Sequence, residues 1–567
     1  MTRTQIARQD IDMAFNLMRV AGVALVLAGS AAAQPVVTSA TNAASSVDAA
    51  LPNGGLAQGG MFVVYGQRLG PGSLVLVDAF PLPTTLGGTS VRVTVGQTSV
   101  DALMVYTIGG QVAAILPSST PTGAGTLTVS FGGQTSPPLA VRVERSRFGI
   151  FTLNQAGSGP GIFTDPANVV NTLVQPAQPG AVWVIWGTGI GPVTGDESGG
   201  PLPGDLAELD VVVLVGGQPA EILYRGRSGC CAGLDQIAFR VPPGADLTGC
   251  FVPVVVLVGG VPSNTVAMSV GEGQICADGE GWQSADIQAA RERGHLRAAA
   301  ITLRRVDLWL TTPGPIAAAP IRTETVTASV GRFDFLTGML RAQRLTGISV
   351  VGACTVFRFT GLQPEEADPT GGDPLDAGAA LRIASGARAR NVARVAPGVY
   401  AGVIGGGQTV PGLPGLTLPF FLTPGVYRVE SGAGAATGPF SAEVTVTNPP
   451  DWTNRNSIAT ISRSAGVTIQ WSGADAGREF VEIAGSSVAL SAARGAGFVC
   501  RQRASAGAFT VPPSVLAALP PSQTQEQIPS GLLSVGTVSR TVRFTAPGLD
   551  IGLVNYSATN TRMVSYR

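Results

Sequence analysis

Two aromatic strand-and-turn segments constrain the fold of this chain more than any other feature. They are FVVYGQRLGP at 62–71 and WVIWGTGIGP at 183–192. Aligned without a gap, both have four apolar residues, a glycine, two variable positions, an aliphatic residue and Gly-Pro. Their separation of about 120 residues is the length of one domain, which favours a duplicated domain over chance similarity. We therefore predict two copies of one folding unit.

Three further segments recur in the same order in both copies. The pairs are 81–83 with 201–203, 91–106 with 211–224, and 132–136 with 259–263. The ordered matches predict that the second copy repeats the plan of the first. We name 34–146 repeat 1 and 147–276 repeat 2.

Short apolar stretches separated by turn residues predict that both repeats are β-sandwiches. Predicted strands such as Met61–Tyr65 and Leu127–Phe131 alternate with turns that are rich in Gly and Pro. Charged residues make up 13% of the chain, against about 25% in an ordinary soluble domain, whereas glycine (76) and proline (41) are abundant. The predicted fold class is all-β: tandem immunoglobulin-like β-sandwiches followed by one or two further β-sandwich domains.

The repeats also resemble a known family. The segment VGGQPAEILY at 215–224, with GTGIGP at 187–192 before it and GGVPSNTV at 259–266 after it, resembles IPT/TIG-like immunoglobulin-fold repeats. More narrowly, it is similar to the uncharacterised tandem repeat family expanded in acidobacterial secreted proteins. The resemblance covers roughly residues 40–275. It implies a fold and an extracellular location, but its motifs are structural and imply no active-site residue.

The rest of the chain is divided by composition. Residues 1–33 are predicted to be an export signal, because arginines precede the apolar run Val20–Ala28 and small residues precede Gln34. No later apolar run has the length of a membrane span. A secreted or cell-surface protein is therefore expected. Residues 277–447 are predicted to be a β-rich domain with a short helix at 286–297, capped by Ser284, and 448–567 a further sandwich; one larger sandwich is the alternative.

The charge pattern argues against nucleic acid as a partner. The chain has 36 basic and 36 acidic residues, with a formal net charge of zero. Neither half contains the dense basic stripe that neutralises phosphates. The expected partner is an extracellular glycan or protein.

Six cysteines in an exported chain favour disulfides over reactive thiols. Locality favours a Cys354–Cys500 bridge and two bridges within the other four. Those four lie late in repeat 2 or at its exit: Cys230, Cys231, Cys250 and Cys276. Zinc is disfavoured because C-x2-C pairs and a nearby histidine are missing.

No convincing catalytic constellation emerges from the sequence. The single histidine, His295, has no partner in its neighbourhood, and an exposed helix end is the simpler interpretation. The loop GDESGGP at 195–201 is similar to the nucleophile loop of trypsin-like proteases, but it carries an additional Glu and the only histidine follows it. We interpret it as a turn.

Acidic residues leave two weak alternatives. Glu365, Glu366 and Asp368 could form a glycosidase pair, although a Pro-rich loop favours solvated surface. Asp368, Asp373 and Asp376 could bind calcium, which prefers oxygen ligands, but their spacing matches no EF-hand. Calcium is the one cofactor left open.

Aromatic residues supply the preferred contact candidates. Trp183 and Trp471 are predicted to pack between sheets. In a strand, 184 and 186 face away from 183 and 185, so Trp186 and its counterpart Tyr65 are predicted to lie on the other face, where a ligand or neighbour would cover them.

The leading hypothesis is a secreted, non-enzymatic protein for adhesion, structural roles or glycan and protein binding. The rival is an extracellular hydrolase with its site in the C-terminal half and the repeats as spacers. A passive spacer without a ligand is a third alternative.

Overall fold

The structure, a computed structural model, describes residues 34–244, 247–277, 281, 283–310, 319–335, 350–360, 363–364, 372–406, 418–525 and 528–567. The regular structure is predominantly β-strand, which confirms the predicted fold class. Two short α-helices lie wholly within the described residues, α1 (Ser284–Arg293) and α2 (Pro513–Leu516).

Repeat 1 is built from eleven strands. Their bounds are β1 Val36–Asn42, β2 Leu56–Ala57, β3 Met61–Gln67, β4 Val75–Leu76, β5 Thr89–Val95, β6 Thr98–Asp101, β7 Leu103–Ile108, β8 Gln111–Ile115, β9 Gly123–Phe131, β10 Gln134–Thr135 and β11 Leu139–Glu144. One sheet has the order β1-β3-β8-β7-β4 and the other β2-β11-β9-β5-β6, with β10 paired to β9. The two sheets enclose one core.

Strict alternation places the core residues of repeat 1. In β5, Val91, Val93 and Val95 are buried, whereas Arg92 faces solvent and pairs with Asp101 of β6. Successive side chains of a strand point to opposite faces, so one face of β5 is apolar. Each valine that is removed from water contributes roughly 1.5 kcal/mol or more to folding.

Repeat 2 has ten strands. Their bounds are β12 Gly149–Ile150, β13 Phe163–Thr164, β14 Val182–Thr188, β15 Gly204–Asp205, β16 Val211–Val215, β17 Gln218–Arg227, β18 Asp235–Arg240, β19 Gly249–Val258, β20 Val261–Pro262 and β21 Val266–Val270. They form one continuous sheet, because the unbroken β17 pairs with β18 at one end and with β16 at the other. In repeat 1 the corresponding stretch is divided into β6 and β7, and the sheets stay separate.

The repeated segments of the sequence occupy equivalent positions in the two cores. Phe62 of β3 and Trp183 of β14 are both buried, as are Leu69 and Ile190 after the strands. The gapless alignment therefore corresponds to structural equivalence. Each repeat has its own core.

The C-terminal region, residues 277–567, contains the remaining strands. Their bounds are β22 His295–Trp309, β23 Ile321–Asp334, β24 Ala353–Thr360, β25 Gln363–Pro364, β26 Asp373–Pro374, β27 Ala380–Ser385, β28 Arg388–Ala396, β29 Val399–Gly406, β30 Gly425–Ser431, β31 Phe440–Val446, β32 Asp451–Trp452, β33 Thr460–Ile461, β34 Val467–Ser472, β35 Glu479–Ala489, β36 Arg494–Arg503, β37 Ala508–Val511, β38 Thr524–Gln525, β39 Ile528–Pro529, β40 Gly531–Ser539, β41 Val542–Phe544 and β42 Ile551–Tyr566.

One large sheet contains most of the described strands of the C-terminal region, whereas β32, β34 and β37 form a separate sheet and β38 pairs with β39. The order of the large sheet is β25-β24-β36-β35-β40-β42-β22-β23-β29-β28-β27-β30-β31. Strand β42 pairs in parallel with β22, and β24 pairs with β36, so strands from before and after residue 448 are neighbours. The predicted boundary at 448 therefore does not divide two sheets. This pairing fits the alternative of one larger C-terminal unit.

The predicted helix differs in its bounds. Helix α1 begins at Ser284 with Gln283 as its N-cap, and it ends before Gly294, whose φ of 73° is left-handed. Glycine adopts that conformation without the strain of a Cβ, which explains why the helix stops there. Residues 295–297, predicted to be helical, begin strand β22.

The C-terminal region packs against both repeats. Val47 and Leu51 of repeat 1 lie in a core with β34, β35 and β36, and Asp48 pairs with Arg494 at 3.1 Å. Residues of α1 share another apolar cluster with Cys250 and Cys276 of repeat 2. These contacts make the repeats part of a packed assembly.

Candidate functional site

The two predicted contact residues lie on the same side of equivalent strands. We call the sheet face that points away from a repeat's own core its outer face. In β3, Phe62 and Val64 point into the core and Tyr65, 37% exposed, lies on the outer face. In β14, Ile185 is buried in the core and Trp186 lies half-buried on the opposite face.

In repeat 1, Tyr65 has two polar neighbours on adjacent strands. Its cross-strand partner on β8 is Gln111, and the next outer-face residue of β8, Ala113, is paired with Tyr106 of β7. The Gln111 amide donates a hydrogen bond to the Tyr106 hydroxyl at 3.1 Å. Ala113 itself is fully buried, so other side chains cover this part of the outer face.

Repeat 2 presents the same residue types in the same register. Trp186 is paired with Gln236 of β18, and the next outer-face residue, Ala238, is paired with Tyr224 of β17. An aromatic residue, a glutamine, an alanine and a tyrosine therefore occupy matching outer-face positions in both repeats. We call these the repeat 1 cluster (Tyr65, Gln111, Ala113, Tyr106) and the repeat 2 cluster (Trp186, Gln236, Ala238, Tyr224).

A β-bulge places the tyrosine in each cluster. The register shifts between Met104 and Tyr106 in β7, and between Ile222 and Tyr224 in β17. Met104 packs in the core, so regular alternation would send Tyr106 to the core as well. One additional residue at the bulge reverses the facing of everything after it and turns both tyrosines outward.

Hydrogen bonds fix two of the side chains of the repeat 2 cluster. The Trp186 indole N–H donates to Thr164 Oγ1 at 2.9 Å. The Tyr224 hydroxyl lies 3.0 Å from the carbonyl oxygen of Gly204 and 2.6 Å from that of Arg227. A ring held by such contacts loses little conformational entropy when it binds a ligand.

Both cluster tyrosines are neutral at ordinary pH. Burial, followed by the nearby Tyr65, raises the pKa of Tyr106. Burial also raises the pKa of Tyr224, against the hydrogen bond with Gly204. The hydroxyls therefore stay protonated and act as donors as well as acceptors.

The chemistry of each cluster suits a flat, polar-edged ligand. The aromatic ring offers an apolar surface, the glutamine amide offers donors and an acceptor, and the tyrosine adds a hydroxyl. No carboxylate or histidine belongs to either cluster. Neither cluster therefore contains a side chain of the kind that usually acts as a general acid or base near neutral pH.

Sequence reasoning identified one residue of each cluster and missed the others. The matched segments 91–106 and 211–224 both end on tyrosine, which was a signal of equivalence. Alternation alone would have placed these tyrosines in the core, because no residue type marks the bulge. Gln111 and Gln236 become neighbours only when β8 and β18 pair with the aromatic strands.

Three of the other tryptophans pack in cores, and a fourth is partly buried. Trp183, Trp471 and Trp452 are all buried, which confirms the prediction for the first two. Trp309 is partly buried, and the Arg455 guanidinium lies over its ring at 3.7 Å.

The loop at 195–201 is a junction between the repeats. The Glu197 carboxylate accepts hydrogen bonds from the Ser118 backbone N–H at 2.6 Å and from the Ser118 hydroxyl at 3.0 Å, both in repeat 1. Ser198 donates from its backbone and hydroxyl to Asp196, which lowers the pKa of that carboxyl. The loop therefore has a structural explanation, consistent with the predicted turn.

The proposed calcium residues are not brought together in the described residues. Asp373 pairs with Arg332 at 3.3 Å, and Asp376 pairs with Arg394 at 2.7 Å. Asp368, like Glu365 and Glu366 of the glycosidase alternative, lies outside the described residues. Within the part of the chain that the structure describes, no group of three or more metal-ligating side chains occurs.

The hydrolase alternative calls for close carboxylates with raised pKa values in the C-terminal region. Asp307 is buried, which opposes ionisation, but hydrogen bonds and charges of Arg305 and Arg322 outweigh burial and lower its pKa. The pKa of Asp376 is also lowered, chiefly by the Gly378 backbone N–H and by Arg394. His295 lies at the start of β22, with Nδ1 3.1 Å from the Arg293 carbonyl oxygen.

The six cysteines form three pairs. They are Cys230–Cys231, Cys250–Cys276 and Cys354–Cys500. The last is the bridge that locality favoured, and it joins paired positions of β24 and β36. Among the described residues, no helix is long and apolar enough to cross a membrane.

No family model and no curated protein sequence matches this chain. Among solved structures, it is similar to SGBP-B of a Bacteroides ovatus mixed-linkage glucan utilization locus, in complex with a mixed-linkage heptasaccharide. That match has 11% identity and a TM-score of 0.19, and it covers 61% of this chain but only 65% of the other. SGBP-B of a Bacteroides uniformis xyloglucan utilization locus matches at 11% identity over 66% of this chain and 86% of that one, TM-score 0.15. The titin I9–I11 tandem matches at 8% identity over 69% and 93%, TM-score 0.12. TM-scores this low support no inference about ligand or function.

Proposed function

We propose that this chain is a secreted, non-enzymatic polysaccharide-binding protein, and that the clusters of its two repeats hold the sugar. The observation that carries the proposal is the recurrence of one aromatic–Gln–Ala–Tyr arrangement on the outer face of both sheets. A core constraint does not explain it, because these side chains point away from the core.

The chemistry of the clusters supports a sugar as ligand. A pyranose ring has an apolar face that stacks on Tyr65 or Trp186, and its hydroxyls need donors and acceptors at the ring edge. Gln111 and Gln236 supply an amide beside each aromatic ring. Two equivalent sites on one chain suit a polymer with repeating units, because linked sites gain avidity.

The location and family belong to the same proposal. Residues 1–33 have the composition of an export signal, and three disulfide pairs suit an oxidising compartment. The resemblance to IPT/TIG-like repeats supports an extracellular binding or structural role. The experiment must therefore distinguish binding to a glycan from binding to a protein.

A glycan and protein array probed with the purified chain tests this function. We expect signals on neutral polysaccharides that fall about tenfold or more in Trp186→Ala, because the loss of one of two linked sites removes the avidity of the pair. Phe357→Ala, which removes an exposed aromatic ring on β24, is the matched control and should leave the signals unchanged. Undiminished glycan binding by Trp186→Ala and Tyr65→Ala, or binding to proteins alone, would overturn the proposal.

A further inference from the structure

Two arginines at the end of the β27–β28 hairpin lie over one phenylalanine ring. The guanidinium carbons of Arg388 and Arg390 lie 5.5 Å and 5.3 Å from the centroid of Phe421. Residues 388, 390 and 392 share a strand face, and Val392 is buried in the core. The arginines therefore line the end of this core, where the apolar layer meets solvent.

These two arginines differ in their partners from three arginines on neighbouring strands of the same sheet. Arg388 donates to Thr423 Oγ1 at 2.9 Å and to the Tyr427 hydroxyl at 3.3 Å, and Arg390 donates to the Ala389 carbonyl oxygen at 3.3 Å. Neither has a carboxylate partner among the described residues. Three neighbouring arginines do have one. These pairs are Arg382–Glu430 at 2.6 Å, Arg394–Asp376 at 2.7 Å and Arg428–Glu443 at 3.0 Å.

Free donors remain on both guanidinium groups. An arginine carries five N–H donors in a planar fork and stays charged at all ordinary pH values. Arg388 uses only its Nη2, and Arg390 only its Nη1, in the bonds above. The unused edges match the two oxygens of a carboxylate or sulfate group, to which arginine binds through parallel hydrogen bonds.

An exposed aromatic ring lies one residue before the phenylalanine that the two arginines cover. Phe420 precedes the buried Phe421 and is 52% exposed. The Arg322 guanidinium carbon lies 4.6 Å from its centroid and is itself held by Asp307, with Nε 2.8 Å from Oδ1. Consecutive residues therefore carry a ring that the two arginines cover and an exposed ring of about sugar-ring size.

We propose that Arg388, Arg390 and Phe420 form a binding site for an acidic polysaccharide. The arginines take the carboxylate or sulfate group, and Phe420 packs on a sugar ring of the same chain. The site is separate from the clusters of the repeats and takes a charged ligand where those take a neutral one. Nucleic acid fits less well, because its binding depends on many phosphate contacts and the patch supplies two free charges.

Binding to polygalacturonate, dextran sulfate and uncharged dextran tests the proposal with the purified full chain. The first two probes separate a carboxylate from a sulfate as the recognised group. We expect binding to at least one of them, none to dextran, and weakening with salt because the contact is ionic. The double variant Arg388→Gln/Arg390→Gln should lose about tenfold or more in affinity, because two charge-assisted hydrogen-bonding groups are removed.

Matched variants identify the cause of a loss. Arg382→Gln/Arg428→Gln removes the same charge from arginines that are already paired, and it should change the affinity about twofold at most. Arg388→Lys/Arg390→Lys keeps the positive charge but removes the planar guanidinium group. Its affinity should lie between those of the two Arg→Gln double variants. Trp186→Ala should bind polyanions normally, which separates this site from the clusters. Circular dichroism verifies that each variant is folded.

Three results would overturn the proposal. They are a failure to bind both polyanions at low salt, an equal loss in the paired-arginine control, and tighter binding to double-stranded DNA than to either polysaccharide.

Discussion

The two repeats and the C-terminal region are both β-structure, but their strands find partners at different distances along the chain. Each repeat pairs strands only within its own stretch. In the C-terminal region, β42 pairs with β22 from Ala298↔Ile551 to Trp309↔Arg562. Non-local pairing costs more loop-closure entropy before contacts repay it, so the repeats should fold first and the C-terminal region last.

Strand β42 explains how two cores become one unit. Its first half supplies Val554, Tyr556 and Ala558 to the core shared with β27 and β30, and its second half supplies Val564 and Tyr566 to the core shared with β34 and β36. A boundary cannot be drawn between the two cores, because one continuous strand belongs to both.

Removing β42 should produce the largest difference in stability between the repeats and the C-terminal region. A chain that ends at residue 550 should lose cooperative structure in the remaining described strands of the C-terminal region, while repeats 1 and 2 stay folded, because each repeat has its own core. Amide hydrogen exchange measures both regions at once. Protected amides in β22, β35 and β36 of the truncated chain would contradict the shared-strand account.

Removing each disulfide separately should lower the unfolding free energy by less than the deletion of β42, and the loss should increase with the length of the closed loop. Cys354–Cys500 spans 146 positions and Cys250–Cys276 spans 26. In the chain-entropy model, losing them through double Cys→Ala substitution costs about 5 and about 3.5 kcal/mol of unfolding free energy. Urea unfolding of the two variants should therefore rank the longer bridge first. The reverse ranking would mean that chain entropy does not set the order.

The two tryptophans of β14 allow the stability contributions of a core position and an outer-face position to be compared within one strand. Trp183→Ala removes a buried ring and should cost about 3–5 kcal/mol of unfolding free energy. Trp186→Ala removes a half-buried ring and a hydrogen bond to Thr164, so about 1–2 kcal/mol is expected. Thermal unfolding checks the difference. Equal costs would place Trp186 in the core and remove it as a contact residue.

Asp307 gives the C-terminal region a pH dependence. Its lowered pKa means that ionised Asp307 stabilises the folded state above the ordinary pKa of 3.8, and this stability disappears as pH falls below that value. Asp307→Asn should lose about 2–3 kcal/mol at pH 7, since it leaves Arg305 and Arg322 without their carboxylate. Urea midpoints of wild type and variant should converge in acid. A constant gap across pH would exclude this ionisation as the cause.

The sequence predicted the repeats well because their signals are local. Aromatic strands, Gly-Pro turns and alternation lie within short windows, and each corresponds to one structural element. The segment Asn448-Pro449-Pro450 has the composition of a linker but is held inside the C-terminal region. The Tyr556 hydroxyl donates to the Thr447 carbonyl oxygen at 3.0 Å, and the Asn560 amide donates to the Pro450 carbonyl oxygen at 3.0 Å. Residues more than a hundred positions away make these contacts, so composition could not reveal them.

The site was predictable only in part, for a related reason. Alternation within β14 was enough to place Trp186 opposite Trp183. The glutamines join the clusters through pairing between strands, and the tyrosines through a one-residue bulge. Register and bulges depend on tertiary packing and leave no fixed residue signature.

Isothermal titration with a neutral polysaccharide identified on the array tests the central claim most directly. The claim is that both repeats bind the same kind of ligand through matching clusters. We expect two sites per chain in the wild type, one site in Tyr65→Ala or Trp186→Ala, and no binding in the double variant. A double variant that is folded and still binds at two sites would contradict the account.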